Sequence, residues 1–218
     1  MKKKEIYQFV LQYFRDNHAV AETELNYSNP FELLVAVVLS AQCTDKRVNM
    51  VTPALFQQFP NAEVLAAASV EEVFAMIRSI SYPNSKAKHL VALGKMLVEE
   101  FKGIVPDNRE DLQKLPGVGR KTANVLLSVV YGKATMAVDT HVFRVSKRIG
   151  LVPKKLKTPL AVELELMKFL PEAEVPKAHH WLILHGRYVC LARKPLCESC
   201  GLREVCNYFK TQQSKIAL

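Results

Sequence analysis

Leu115-Pro116-Gly117-Val118-Gly119-Arg120-Lys121-Thr122-Ala123 separates a short helical pattern ending near Leu115 from a longer one running to Tyr131. Gly117 and Gly119 permit a tight reversal with no side chain above the backbone. The amides that open the second helix then face outward, and a helix N-terminus is a ready site for phosphate. A glycine pair between helices is also a common helix–helix turn that binds nothing. The basic pair Arg120-Lys121, in a chain of net charge +9, brings the phosphate reading closer.

On either side of this turn the apolar residues keep helical spacing. Ile6, Phe9, Val10 and Tyr13 form one such set; Val73, Met76, Ile77 and Ile80 form another, and Leu90, Leu93, Leu97 and Phe101 a third. Alternating strand patterns are scarce. Breakers fall where helices should start or stop, among them Pro30, Pro53, Pro60, Pro83, Gly103, Pro106, Gly132, Gly150, Pro159, Pro171 and Pro176. The expectation is an all-α protein of about ten short helices. The run from Phe31 to Gln42 has almost no polar face, which marks a helix surrounded by others. The tail after Asn207 thins in apolar content and is expected to fray.

The chain has 218 residues, 49% of them hydrophobic, enough for one large domain or two small ones. Polar residues interrupt the N-terminal segment, so no secretory h-region is expected. The most apolar run, from Phe31 to Ala41, is too short to span a bilayer. These features predict a cytoplasmic protein with no membrane partner. The excess of positive charge suggests a polyanion as partner, because neutralising phosphates releases counterions.

Near the C-terminus, Cys190, Cys197, Cys200 and Cys206 follow the spacing C-x6-C-x2-C-x5-C. Four thiols in so short a stretch point to a metal centre, and thiolates select zinc or iron–sulfur clusters. A structural zinc usually takes two tight pairs, whereas only one C-x2-C pair exists here; a cubane cluster fits at least as well. Spacing alone leaves the two open. Disulfides belong to oxidising compartments, and Cys43, far off in sequence, is expected to be an ordinary buried thiol.

Taken singly, Lys121 reads as a surface lysine or a phosphate contact, and Asp139 as the N-cap of a helix carrying Val142, Val145 and Ile149. A nucleophilic lysine would need partial burial or neighbouring positive charge to be neutral near pH 7. The order of motifs carries more. The hairpin, then Val138-Asp139-Thr140-His141-Val142, then His179-His180-Trp181 through Arg187, then the four cysteines, resembles the endonuclease III family of helix–hairpin–helix DNA glycosylases. The resemblance runs from Pro30 through Cys206 and implies two helical domains with a DNA-binding cleft between them: residues 22–131 as a central helical barrel, and 1–21 plus 132–218 as an iron–sulfur domain.

The same resemblance implies a monomeric base-excision-repair enzyme, bound to the nucleoid, that acts on double-stranded DNA with damaged or abasic sites. It would be a DNA glycosylase and AP lyase that removes oxidised pyrimidines by lysine Schiff-base chemistry. Lys121 and Asp139 correspond to the catalytic pair, and the four cysteines to the ligands of a [4Fe-4S] cluster. Gln42 matches the glutamine that fills the gap left by a flipped base. Tyr82 stands where the family usually has a wedging leucine, and an aromatic can stack there instead. Gly117, Gly119 and Arg120 would hold backbone phosphate, and Arg193 and Lys194 would present charge from the cysteine loop. His179, His180 and His185 are read as packing and hydrogen-bonding residues, since the cysteines suffice as ligands.

Overall fold

The computed structural model describes residues 1–18 and 20–216. All regular structure among them is helical. The helices are α1 (Lys3–Asn17), α2 (Pro30–Ser40), α3 (Asp45–Gln58), α4 (Ala62–Ala67), α5 (Val70–Ile77), α6 (Pro83–Phe101), α7 (Arg109–Leu112), α8 (Arg120–Val129), α9 (Thr140–Ile149), α10 (Pro159–Met167), α11 (Val175–Tyr188) and α12 (Asn207–Ile216). The periodicity count of about ten misses the shortest ones: α4 and α7 have 6 and 4 residues, too few to repeat a pattern.

Local chemistry explains most boundaries. Pro30, Pro83, Pro159 and Pro176 occupy first-turn positions, where a missing N–H costs nothing. Asn29, Thr44, Asn61, Ser69, Asn108, Asp139 and Thr158 cap with side-chain oxygens that accept from the first-turn amides. Pro53 departs from expectation by lying inside α3. Burial of Val48, Thr52 and Leu55 along one face carries the helix through it. The C-terminal tail also departs, since residues 207–216 are helical. Tyr208 explains it in part: the Arg148 guanidinium lies 4.5 Å from its ring. The last two residues of that tail, 217 and 218, lie outside the described residues.

The chain divides into two units, Thr23–Gly132 and Met1–Glu22 with Lys133–Leu218. The first is built on α2. Leu33, Leu34, Ala36 and Leu39 are fully buried, and Val35, Val37 and Val38 nearly so, so every face of this helix meets other helices. The second joins α1 to the C-terminal half. Phe14 of α1 stacks on Trp181 of α11 with ring centroids 5.7 Å apart. The Trp181 indole donates to the His18 carbonyl at 2.7 Å, and the Tyr7 hydroxyl donates to the Leu151 carbonyl at 3.0 Å. No helix among the described residues is long and apolar enough to cross a membrane.

The two hairpin glycines are not equivalent. Gly117 has φ +81°, and a Cβ there would stand 3.3 Å from both His89 Cβ and Val38 Cγ1. Gly119 has φ −91° and ψ 177°, an extended conformation open to any residue, and a Cβ there would meet nothing within 4 Å. The reversal therefore rests on Gly117 alone, which corrects the shared role expected of the pair. Gly117→Ala should destabilise the protein by about 1–2 kcal/mol from the left-handed backbone alone, and Gly119→Ala by less than about 0.5 kcal/mol, as for a surface substitution. Urea denaturation of the two variants checks the difference.

Candidate functional site

Within the unit built on α2, three chain segments meet at the hairpin. Leu112, Leu115, Val118, Ala123 and Leu126 anchor α7, the turn and α8 in the core. Gly117 then lies against Val38 at the end of α2 and His89 near the start of α6. Gly119 caps α8 without a side chain, so no cap group covers the first-turn amides. Gly117 and Gly119 are exposed and Arg120 is half-buried. Lys121 is the second residue of α8, and its side chain is exposed. Lys121 therefore lacks the partial burial that the sequence reading asked of a nucleophilic lysine.

Four non-glycine residues among those described have positive φ: Gln42 (54°), Tyr82 (56°), Lys102 (55°) and Lys194 (50°). Lys102 only ends α6. The other three are residues that the sequence nominated for contact with nucleic acid, and strained backbone concentrates at functional positions. Gln42 follows α2, and Tyr82, 63% exposed, caps α6. Cys43 is half-buried against the core, less enclosed than expected.

In the other unit, Asp139 caps α9, with Oδ1 accepting from the Val142 amide at 2.7 Å. The cap fixes the carboxylate at the positive end of a helix dipole and engages one of its two oxygens. Periodicity had placed it there.

All four C-terminal cysteines are free thiols and partly buried. They line one pocket together with Ile149, His185, Leu202 and Tyr208. Among the described residues, no three His, Cys, Asp or Glu side chains converge as a single-ion site. Burial pushes the Cys197, Cys200 and Cys206 thiols up, and their neighbouring sulfurs add to the effect. Four soft donors that line one pocket without converging on a single point suit a polynuclear centre, whose binding would release their protons.

Sequence reasoning passed over the residues that hold this loop. Arg148 donates to the Leu191 carbonyl at 2.6 Å, to the Ala192 carbonyl at 3.0 Å and to Cys190 Sγ at 3.5 Å. Arg144 donates to the Cys190 carbonyl at 3.1 Å and to the Gly186 carbonyl at 2.8 Å. Both sit in the last two turns of α9, where basic residues read as ordinary surface charge. Arg193 and Lys194 are exposed on the loop so held. His179, His180 and His185 are buried as expected, and His185 Nε2 lies 3.7 Å from Cys200 Sγ.

Residues 35–172 match the model of the HhH-GPD superfamily base excision DNA repair protein. Endonuclease III of Rickettsia felis is 47% identical over 95% of this chain and 96% of its own length. That of Escherichia coli K12 is 46% identical over 91% and 93% respectively. A solved structure of a trapped endonuclease III–DNA covalent intermediate superposes with a TM-score of 0.92 at 45% identity, covering 98% of this chain and 100% of that one.

The histidines give the fold a pH dependence. Burial, with some help from Arg187, pulls His180 down to about 4, whereas an unfolded histidine titrates near 6.5. The unfolded chain therefore binds more protons between those values, so stability is full above pH 6.5 and falls as pH drops toward 4. The loss from this residue should reach about 3 kcal/mol. Urea melts at pH 7.5 and pH 4.5 should show a smaller difference for His180→Gln than for the unaltered chain.

Proposed function

Because the chain belongs to the endonuclease III family of the HhH-GPD superfamily of base excision DNA repair proteins, we propose that it is a bifunctional DNA glycosylase and AP lyase. It removes oxidised pyrimidines from double-stranded DNA and nicks the strand 3′ to the resulting abasic site. The observation that carries this reading is the primary amine of Lys121, exposed beside the open N-terminus of α8.

Chemistry on a base inside a duplex requires its extrusion, at a few kcal/mol, least for a damaged base. Gln42 fills the gap and Tyr82 stacks into the opposite strand. Amides at the hairpin hold the backbone phosphate, a contact that positions without reading sequence. Arg120, Arg193 and Lys194 add charge toward the same backbone. Lys121 Nζ then attacks C1′ through its lone pair; the glycosidic bond breaks, and the base leaves with the electron pair and a proton. The nitrogen lone pair then breaks the C1′–O4′ bond, O4′ takes up a proton as the ring opens, and an iminium forms between Nζ and C1′. That cation acidifies C2′; loss of its proton drives cleavage of the C3′–O bond, and the 3′ phosphate departs.

Lys121 must be neutral to attack. Exposed in the free protein, it would lose its water only when DNA covers it, which raises the cost of its charge. Asp139 serves either as acceptor for the Lys121 proton or as counter-charge to the sugar cation. Its helix cap supports both roles by fixing the carboxylate before the reaction begins.

Cys190, Cys197, Cys200 and Cys206 would hold a [4Fe-4S] cluster. When bound, the cluster supplies four iron–thiolate links that fix the loop bearing Arg193 and Lys194. The net charge of +9 supports association with the nucleoid, where the protein would act as a monomer.

Sodium borohydride reduction on duplex DNA with an abasic site should trap a covalent adduct, lost in Lys121→Ala. Asp139→Asn should slow its formation by about a hundredfold or more, the usual scale for a proton-transfer group. DNA binding without trapping would point to a monofunctional glycosylase or a non-catalytic DNA-binding protein instead. Protein purified without oxygen should carry about four irons per chain and absorb in the visible range, and Cys200→Ser should lose both.

A further inference from the structure

Buried lysines without a carboxylate partner are rare, and Lys86 is one. It is 6% exposed on the first turn of α6. Its ammonium donates to the Leu39 carbonyl at 2.8 Å and the Ala41 carbonyl at 2.6 Å. Those carbonyls end α2, where the negative pole of the helix favours a cation. Burial draws the lysine down and the nearby Cys43 sulfur opposes it.

The same residue reaches Tyr82. The backbone amide of Lys86 donates to the Tyr82 carbonyl at 3.2 Å. That bond is the ordinary first helical bond of α6, so the Lys86 side chain ties the residue before Gln42 to the helical turn that Tyr82 opens. Gln42 and Tyr82 both have left-handed backbone and exposed side chains. Such conformations persist only where surrounding contacts over-determine them, and the Lys86 ammonium joins the two segments that carry them.

We propose that Lys86 is a positioning residue that sets the separation and aim of Gln42 and Tyr82, so that both enter the duplex together as the damaged nucleotide leaves it. The proposal rests on the reading of those two as inserting residues. An apolar side chain at position 86 would leave the buried Leu39 carbonyl unpaired and free the Ala41–Gln42 link to relax from its left-handed turn. Lys86 touches no reacting atom; its effect is confined to the step at which the base is replaced in the stack.

Comparison of duplex and single-stranded DNA isolates that step, because a single strand has no gap to fill and no opposite strand to wedge. Lys86→Met, with helicity matching the unaltered chain, should slow single-turnover borohydride trapping on abasic duplex by about tenfold or more, as misplaced groups do. Trapping on the same strand alone should change by less than about threefold, the lysine chemistry being untouched. On a Gln42→Ala, Tyr82→Ala background, Lys86→Met should add less than about twofold, the signature of groups acting as one. Equal losses on both substrates, no loss on duplex, or full additivity would overturn the proposal. If Gln42→Ala and Tyr82→Ala themselves carry no duplex penalty, the insertion reading fails; if they do and Lys86→Met does not, only the positioning role fails. Should Lys86→Met not fold, Lys86→Gln, whose amide still donates to one carbonyl, serves in the same comparison.

Discussion

A helix enclosed on every side must satisfy its terminal carbonyls from within the protein. α2 is such a helix, with Leu33, Leu34, Ala36 and Leu39 at zero exposure. The Ser40 hydroxyl bonds the Val37 carbonyl, the Ala41 amide bonds Val38, and the Cys43 amide bonds Ser40. Leu39 and Ala41 are left to the Lys86 ammonium. That one requirement draws α6 against the end of α2, and the hairpin turn at Gly117 packs into the angle between Val38 and His89. The exposed residues of this surface, from Gln42 through Tyr82 to Lys121, are therefore held by its buried polar groups as much as by its apolar core.

The other unit meets a different difficulty. Its cysteine loop runs from Val189 to Cys206 with only short turns, and so has little backbone structure to hold it. Arg148 compensates: it reaches the carbonyls of Leu191 and Ala192 and the sulfur of Cys190, while its own carbonyl accepts from the Cys206 thiol. A single residue of α9 thereby touches both ends of the four-cysteine segment. Asp139 opens that same helix, so the capped carboxylate and the cysteine loop share one rigid element.

What could be read in the sequence was local. Helix starts at Pro30, Pro83 and Pro159, the cap at Asp139 and the enclosed character of α2 each depend on a few neighbouring residues. The hairpin was legible for the same reason, although only Gly117 needs its glycine. Pro53 was misread because burial on one face of α3 outweighs a local breaker. Lys86 and Arg148 were not found at all: a lysine or arginine in a polar stretch reads as surface charge, and only the three-dimensional path of the chain brings carbonyls to it. The exposure of Lys121 agrees with its plain reading as a surface lysine and not with the partial burial a nucleophile was expected to need.

The pairing of α1 with the C-terminal half has a consequence for how the protein is made. Tyr7, Val10, Leu11 and Phe14 leave the ribosome early, yet the indole that Phe14 stacks on belongs to residue 181. At ordinary rates of translation the interval is on the order of 10–30 s. Residues 23–132 have all their core partners in one continuous stretch and can fold during that wait. The first helix cannot, and its apolar stripe stays a target for chaperones until nearly the whole chain has emerged.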